Sequence, residues 1–103
     1  MKRFLIEYRL EQGTPEDWHR EIARFISALD GDPVLAGRIT YRCMRRGPGP
    51  AYVHLAETKD GEATEILQTR DYFKRYTAQT KLVSGGGVEV SPVESIAETA
   101  RQA

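Results

Sequence analysis

The strongest constraint on the fold is the order in which the hydrophobic period changes along the chain. Apolar residues alternate with others from Phe4 to Leu10, which predicts a first strand. A threonine, a proline and two acidic residues at Thr14 to Asp17 predict a helix start. Apolar residues from Trp18 to Leu29 follow helical spacing, and we expect Gly31 to close this helix in a left-handed conformation.

The second half of the chain predicts three more strands and a second helical segment. Two alternating segments, Gly37 to Arg46 and Ala51 to Lys59, flank a glycine and proline turn and predict an antiparallel hairpin. Helical spacing runs from near Glu62 to Val83, with an irregularity expected around Gln68 to Asp71. Alternation from Val88 to Ser91 predicts a short last strand.

The order strand, helix, strand, strand, helix, strand is that of the split βαβ plan. The sequence therefore predicts an α+β, ferredoxin-like fold (βαββαβ), with a four-stranded antiparallel sheet and both helices on one face. A length of 103 residues fits one domain over residues 1–103. We expect the polar tail from about residue 94 to be frayed or swapped.

The other face of this sheet has no helix to cover it. It would carry Leu5, Met44, Val53 and Leu55 among charged residues, an amphipathic surface that a monomer leaves in water. A second copy could cover it, because a two-fold axis pairs the same surface on both subunits. The sequence predicts a homodimer through the sheet face, a dimeric α+β barrel. The alternative is a monomer with a solvated sheet face.

Charge and cysteine content argue against several classes of function. Fifteen basic residues balance fifteen acidic ones, so the net charge is zero and nothing draws the chain to nucleic acid or an anionic membrane. The single cysteine, Cys43, can form no intrachain disulfide and no thiolate cluster, and it suits a reducing compartment. The chain has no long apolar run and no secretory pattern. We expect a cytoplasmic protein without metal, nucleic-acid or membrane partners.

Two histidines are the candidates for proton transfer. His19 lies off the apolar stripe of the first helix, so we expect it to face solvent. His54 lies within a strand and shares a face with Tyr52 and Ala56. If a substrate reaches it, its near-neutral pKa suits abstraction of a proton from a phenol, an enol or an acidic carbon. The alternative is a core histidine bonded to a backbone carbonyl or a tyrosine hydroxyl, or one exposed at the dimer face.

Five amphipathic aromatic residues lie on the elements that would flank a space between sheet and helices. They could line a pocket for a flat ligand and bind its quinone or phenol oxygens: Tyr8, Trp18, Tyr41, Tyr72 and Tyr76. Aromatic residues at this spacing are also what a packed core contains, so each could instead be structural.

The chain as a whole resembles the antibiotic biosynthesis monooxygenase family of dimeric α+β barrels. Gly37 to Arg45 is similar to the family's second strand, Tyr52 to Thr58 to its third, and Tyr72 to Tyr76 to its second-helix segment. The resemblance extends from about Phe4 to about Val93. It implies the fold and a homodimer.

The resemblance also implies a class of reaction. Members of the family oxygenate quinols and polyketide phenols without a cofactor, and relatives degrade haem or isomerise small lactones. Haem chemistry is not expected here, because the positions of the haem-degrading relatives' histidine and tryptophan hold Thr77 and Leu67. Two further departures are Thr58, where a tryptophan commonly ends the third strand, and Tyr8, where those enzymes have an asparagine.

Two functions therefore remain open at this stage. The first is a cofactor-independent monooxygenase for a quinol or polyketide-type phenol, in which His54 removes a proton and a tyrosine or arginine stabilises the anion. The second is a non-catalytic dimeric barrel that binds a small ligand or a protein partner. An enclosed cavity containing a reachable base would favour the first.

Overall fold

The computed structural model describes residues 1–100 and contains four strands and three helices. Their order confirms the predicted plan, with the second helical segment divided in two. The elements are β1 (Lys2–Arg9), α1 (Pro15–Asp30), β2 (Ile39–Arg45), β3 (Ala51–Thr58), α2 (Gly61–Thr69), α3 (Asp71–Val83) and β4 (Glu89–Val93).

The four strands form one antiparallel sheet in the order β2-β3-β1-β4. Strand β1 lies between β3 and β4, and its register pairs Tyr8 with Tyr52 and Ile6 with His54. Because alternate residues of a strand point to the same face, Tyr8, Tyr52 and His54 share the face that the helices cover. This face supplies the sheet's part of the core.

Helix α1 begins as the sequence predicts and ends differently. The Thr14 side chain accepts a hydrogen bond from the Asp17 backbone N–H at 3.2 Å, and Trp18 and Phe25 are buried on the inner face. The predicted left-handed conformation of Gly31 is wrong, because its φ is −86° and it continues the right-handed turn. Its N–H donates to the Ser27 carbonyl, so the helix closes without a positive φ.

The predicted irregularity in the second helical segment is confirmed as a break at Arg70. This residue has extended backbone angles between α2 and α3. Its side chain and that of Tyr72 both bond the buried carboxylate of Asp32, at 2.9 and 2.7 Å. The break between the helices is thus tied to the loop that follows α1.

The outer face of the sheet is uncovered in the single chain. Leu5, Val53 and Leu55 are half-buried there, and Met44 is exposed. Residues 94–100 form no helix or strand. The prediction of a frayed or swapped tail also covers residues 101–103, which lie outside the described part of the chain. None of the helices within residues 1–100 has the length and apolar content needed to cross a membrane.

Candidate small-molecule site

A cavity of about 720 Å³ lies between the helix-covered face of the sheet and helices α2 and α3. This volume falls within the range of small-molecule sites. Its wall is mostly apolar and includes the side chains Ile6, Tyr41, His54, Leu67, Phe73 and Tyr76.

His54 is a core histidine bonded to two tyrosine hydroxyls. Its Nε2 lies 2.9 Å from the Tyr8 hydroxyl and its Nδ1 lies 2.9 Å from the Tyr76 hydroxyl. Its exposed fraction is 0 %, so the ring lies in the cavity wall behind other atoms and water does not touch it. Burial lowers the pKa of His54 to about 4, and the imidazole is therefore neutral at pH 7.

Trp18 and Tyr8 lie behind His54 rather than in the cavity wall. The Trp18 indole N–H donates to the Tyr8 hydroxyl at 2.8 Å, and the Tyr8 ring stacks on Tyr52 at 5.4 Å between centroids. Burial raises the pKa of Tyr8 far above its usual value, so the phenol stays protonated. The structure brings these two predicted site residues to the histidine but not to the cavity surface.

Tyr41 offers the cavity an accessible hydroxyl. The side chain is half-buried in the cavity wall. Its hydroxyl is close to that of Tyr76, but within residues 1–100 it forms no hydrogen bond of good geometry. No buried side-chain polar atom in that part of the chain lacks a partner, so this hydroxyl is reachable by solvent. Burial of the ring raises the pKa of Tyr41 well above its usual value, and the group is a hydrogen-bond donor at pH 7.

Tyr72, the remaining predicted site residue, lies away from the cavity wall. Its hydroxyl donates to the Asp32 carboxylate at 2.7 Å, beside Arg70. Burial, followed by the bond to Asp32, raises the pKa of Tyr72 to about 12. The Tyr72 hydroxyl therefore helps to hold α3 to the loop that follows α1. The sequence pattern could not distinguish this structural role from contact with a ligand.

His19 is exposed, as the sequence predicts, but its ring bonds a buried group. Its Nε2 lies 2.7 Å from the Tyr52 hydroxyl, and the Arg45 guanidinium lies 5.8 Å from the Tyr52 ring centroid. These residues and Cys43 border a second hollow of about 210 Å³. Helical and strand spacing did not predict this contact, because it joins two elements at the far end of the sheet.

Cys43 is an inert thiol next to the site. Its Sγ lies 3.9 Å from the Tyr76 hydroxyl, and burial raises its pKa to about 11. The thiolate is therefore scarce at neutral pH, so the group is a weak nucleophile. Within residues 1–100 no three His, Cys, Asp or Glu side chains come together as metal ligands.

Several solved structures have the same arrangement of strands and helices as this chain. A point mutant of SnoaB, a cofactor-independent oxygenase from Streptomyces nogalater, is 17% identical and aligns over 97% of both chains with a TM-score of 0.75. An antibiotic biosynthesis monooxygenase is 14% identical over 94% of this chain and all of that chain, with a TM-score of 0.65. The chain has the fold of these proteins.

A third structure adds a description of assembly. A dimeric ferredoxin-like protein of unknown function from Jannaschia is 17% identical over 92% of this chain and 100% of that one, with a TM-score of 0.63. No protein-family model matches the chain, and no curated protein matches it significantly. The predicted ferredoxin-like α+β fold is confirmed, and at the level of fold the resemblance to the antibiotic biosynthesis monooxygenases is supported.

Proposed function

We propose that this protein is a cofactor-independent monooxygenase that acts on a quinol or a polyketide-type phenol in the cavity. The observation that carries the proposal is the position of Tyr41, His54 and Tyr76 together in a largely apolar wall. Apolar walls with a few polar groups suit flat ligands that carry oxygen atoms. The likeness in fold to SnoaB, described as a cofactor-independent oxygenase, supports the same class of reaction.

The proposed reaction takes its electrons from the substrate and needs no other reductant. The substrate loses two hydrogen atoms, and one of its carbon atoms gains one oxygen atom of O₂ as a carbonyl. The second oxygen atom leaves as water with those two hydrogens. The first step is ionisation of a phenol or enol, because the anion gives an electron to O₂ more readily than the neutral form. The protein binds, orients and stabilises that anion.

His54 and Tyr76 are the proposed centre of the site. His54 is fully buried and both of its ring nitrogens contact tyrosine hydroxyls. A substrate therefore meets this pair through Tyr76, which borders the cavity although only 2 % of it is exposed. We propose that the substrate oxygen binds at the hydroxyls of Tyr41 and Tyr76, and that the His54–Tyr76 pair stabilises the anion, so that the substrate's proton passes to solvent water. Direct abstraction by His54 would require one of its two tyrosine bonds to break.

A second candidate function is binding without catalysis. The burial of His54 and the hydrogen bonds at both of its nitrogens are also the features of a structural histidine. In that case the cavity holds a small ligand, or the dimer holds a protein partner, and oxygen plays no part. The two candidates differ in one readout, which is oxygen consumption with a bound quinol.

We propose that the working unit is a homodimer formed through the uncovered sheet face. That face combines the half-buried Leu5, Val53 and Leu55 with the ion pair of Arg3 and Glu57, whose atoms lie 2.7 Å apart. An apolar centre beside charged groups is typical of protein interfaces. The Jannaschia structure, described as dimeric, supports this assembly.

The test is oxygen uptake by the purified protein, treated with a chelator, against a panel of quinols and anthrones. We expect O₂ to be consumed in a one-to-one ratio with substrate, and ¹⁸O from labelled O₂ to appear in the product. Tyr41→Phe should slow the reaction, whereas Tyr52→Phe, which removes a hydroxyl outside the cavity wall, should leave it unchanged. Binding of these compounds with no oxygen uptake would favour the second candidate.

A further inference from the structure

The hydrogen bonds around His54 have a direction that Trp18 determines. An indole N–H can only donate, so at 2.8 Å it donates to the oxygen of Tyr8. The Tyr8 hydroxyl hydrogen must then find an acceptor of its own. Its other partner within residues 1–100 is Nε2 of His54, at 2.9 Å. Tyr8 therefore donates to Nε2, and this nitrogen carries no proton.

The opposite direction leaves a buried hydrogen without a partner. If His54 donated from Nε2, the Tyr8 oxygen would accept from both His54 and Trp18, and its own hydrogen would have no acceptor in the described chain. Tyr8 is buried, and an unsatisfied buried donor costs about 1–3 kcal/mol. A neutral imidazole has one donor and one acceptor. The proton of His54 therefore lies on Nδ1 and is donated to Tyr76.

The hydroxyl hydrogen of Tyr76 then needs an acceptor other than His54. Tyr76 is only 2 % exposed, and its hydroxyl has two other neighbours in the described chain: the Tyr41 hydroxyl, whose oxygen can accept the hydrogen, and the thiol of Cys43 at 3.9 Å, which is a weak acceptor. Both Tyr76 and the accessible hydroxyl of Tyr41 belong to the cavity wall. The chain of hydrogen bonds from Trp18 through Tyr8 and His54 to Tyr76 thus ends at the cavity wall, in hydroxyl hydrogens that a ligand oxygen can accept.

The charged groups of the cavity wall favour the same kind of ligand. They are Lys81 and Glu57. The Glu57 carboxylate is paired with Arg3 at 2.7 Å, whereas Lys81 forms no ion pair within residues 1–100. The Glu57 side chain belongs to the outer face of the sheet, so among the described residues of the wall only Lys81 brings a charge to the cavity side, and that charge is positive.

We propose that Trp18 is a positioning residue that holds His54 with its proton on Nδ1, so that the cavity presents donors to a phenolate or enolate oxygen rather than an acceptor to a phenol. The part of this proposal that concerns the ligand rests on the proposed function. The tautomer of His54 does not, because it follows from the ligand-free chain. In this arrangement His54 acts through Tyr76 and does not itself take the substrate's proton.

The first test is the tautomer of His54 in the ligand-free protein. Two-dimensional ¹H–¹⁵N NMR of the imidazole nitrogens separates a protonated Nδ1 from a protonated Nε2, and the His19→Gln variant assigns the two histidines. We expect His54 to carry its proton on Nδ1. Proton on Nε2 in the unmodified protein would overturn the proposal without any variant having to fold.

The Trp18→Phe variant tests the cause. Loss of the indole donor lets the Tyr8 oxygen accept from His54, so we expect a measurable fraction of the Nε2-protonated form. The matched Tyr52→Phe variant alters a tyrosine that stacks on Tyr8 but takes no part in these hydrogen bonds, and it should keep Nδ1 protonated. An unchanged tautomer in a folded Trp18→Phe protein would contradict the role of Trp18.

The second test uses 4-nitrophenol, whose absorbance distinguishes phenol from phenolate. At a fixed pH, we expect the ratio of phenolate to phenol in the bound probe to fall about tenfold or more in Tyr76→Phe, since a hydrogen bond to a charged group is lost. An equal ratio in both proteins would overturn the donor role of Tyr76. If instead both tests succeed and no quinol consumes oxygen, the inference stands and the proposed oxygenase function fails.

Discussion

The hydroxyl of Tyr76 lies 2.9 Å from Nδ1 of His54, so helix α3 and strand β3 meet in a hydrogen bond at the cavity wall. The bond joins residues 22 positions apart in the chain. Through this bond, a buried neutral imidazole supports the hydroxyl of a residue in the wall of the cavity. The proposed chemistry depends on this contact.

Removal of the Tyr76 hydroxyl should slow oxygenation more than it weakens binding. A donor to a developing oxyanion contributes mainly to the transition state, and we expect Tyr76→Phe to lower kcat roughly a hundredfold with a smaller change in KM. Initial rates in an oxygen electrode measure both constants. A matched Tyr52→Phe variant should retain the original kcat. A change confined to KM in Tyr76→Phe would mean that the hydroxyl only binds the substrate.

Burial of His54 should make the protein less stable in mild acid. The pKa of His54 falls from 6.5 to about 4 on folding, so the unfolded chain binds more protons between these values. This contribution to stability is complete above pH 6.5 and is lost as the pH falls toward 4. The shift corresponds to a decrease in the free energy of unfolding on the order of 3 kcal/mol as the pH falls from above 6.5 to below 4. Urea denaturation at a series of pH values measures it.

The controls for this pH dependence are two histidine variants. His54→Gln keeps a polar side chain but cannot titrate, so the slope of stability against pH between 6.5 and 4 should flatten. His19→Gln, at an exposed position, should keep the original slope. A slope that survives in His54→Gln would assign the acid sensitivity to other groups.

A charge at the centre of the uncovered sheet face should separate the proposed dimer. Leu55 is half-buried on that face, and Leu55→Arg places a guanidinium where a second copy would pack. We expect light scattering to give twice the monomer mass for the original chain and the monomer mass for the variant. Glu65→Arg, on the exposed side of α2, should leave the dimer intact. A monomer before any substitution would contradict the proposed assembly.

The hydrogen bonds of Asp32 with Arg70 and Tyr72 should hold the helices in place. Its carboxylate accepts from Arg70 and Tyr72, and the bonds to these residues hold the pKa of Asp32 below its usual value. Asp32→Asn removes the charge, and we expect the Tm to fall by several degrees. Asp30→Asn, an exposed acidic residue nearby, should change the Tm little. Calorimetry of the two variants decides the point.

Much of the fold could be predicted because local pattern determines it. The alternation in β1 and the helical spacing from Trp18 to Leu29 each reflect one buried face, and the threonine cap marks a helix start by its own hydrogen bond. Gly31 shows the limit of such rules. A glycine after a helix often takes a positive φ, but Gly31 keeps a right-handed helical conformation.

The candidate site could be predicted only in its residue types. The sequence placed His54 on an inner face, but its partners come from β1 and α3, and Tyr8 lies 46 positions away. Which tyrosine hydroxyl meets the histidine and which meets Asp32 depends on how the helices pack across the sheet. Tyr72 and Tyr76 have the same residue type and lie one helical turn apart, yet they serve different purposes.

The most direct measurement of the central claim is an anaerobic NMR titration with 1,4-dihydroxynaphthalene, in which the imidazole signals of both histidines are followed. If a quinol occupies the cavity, the His54 signals shift and saturate, because the ligand changes the hydrogen bonds of Tyr76, while the exposed His19 keeps its signals. Saturable binding that leaves His54 unchanged would place the ligand elsewhere and contradict the proposed site.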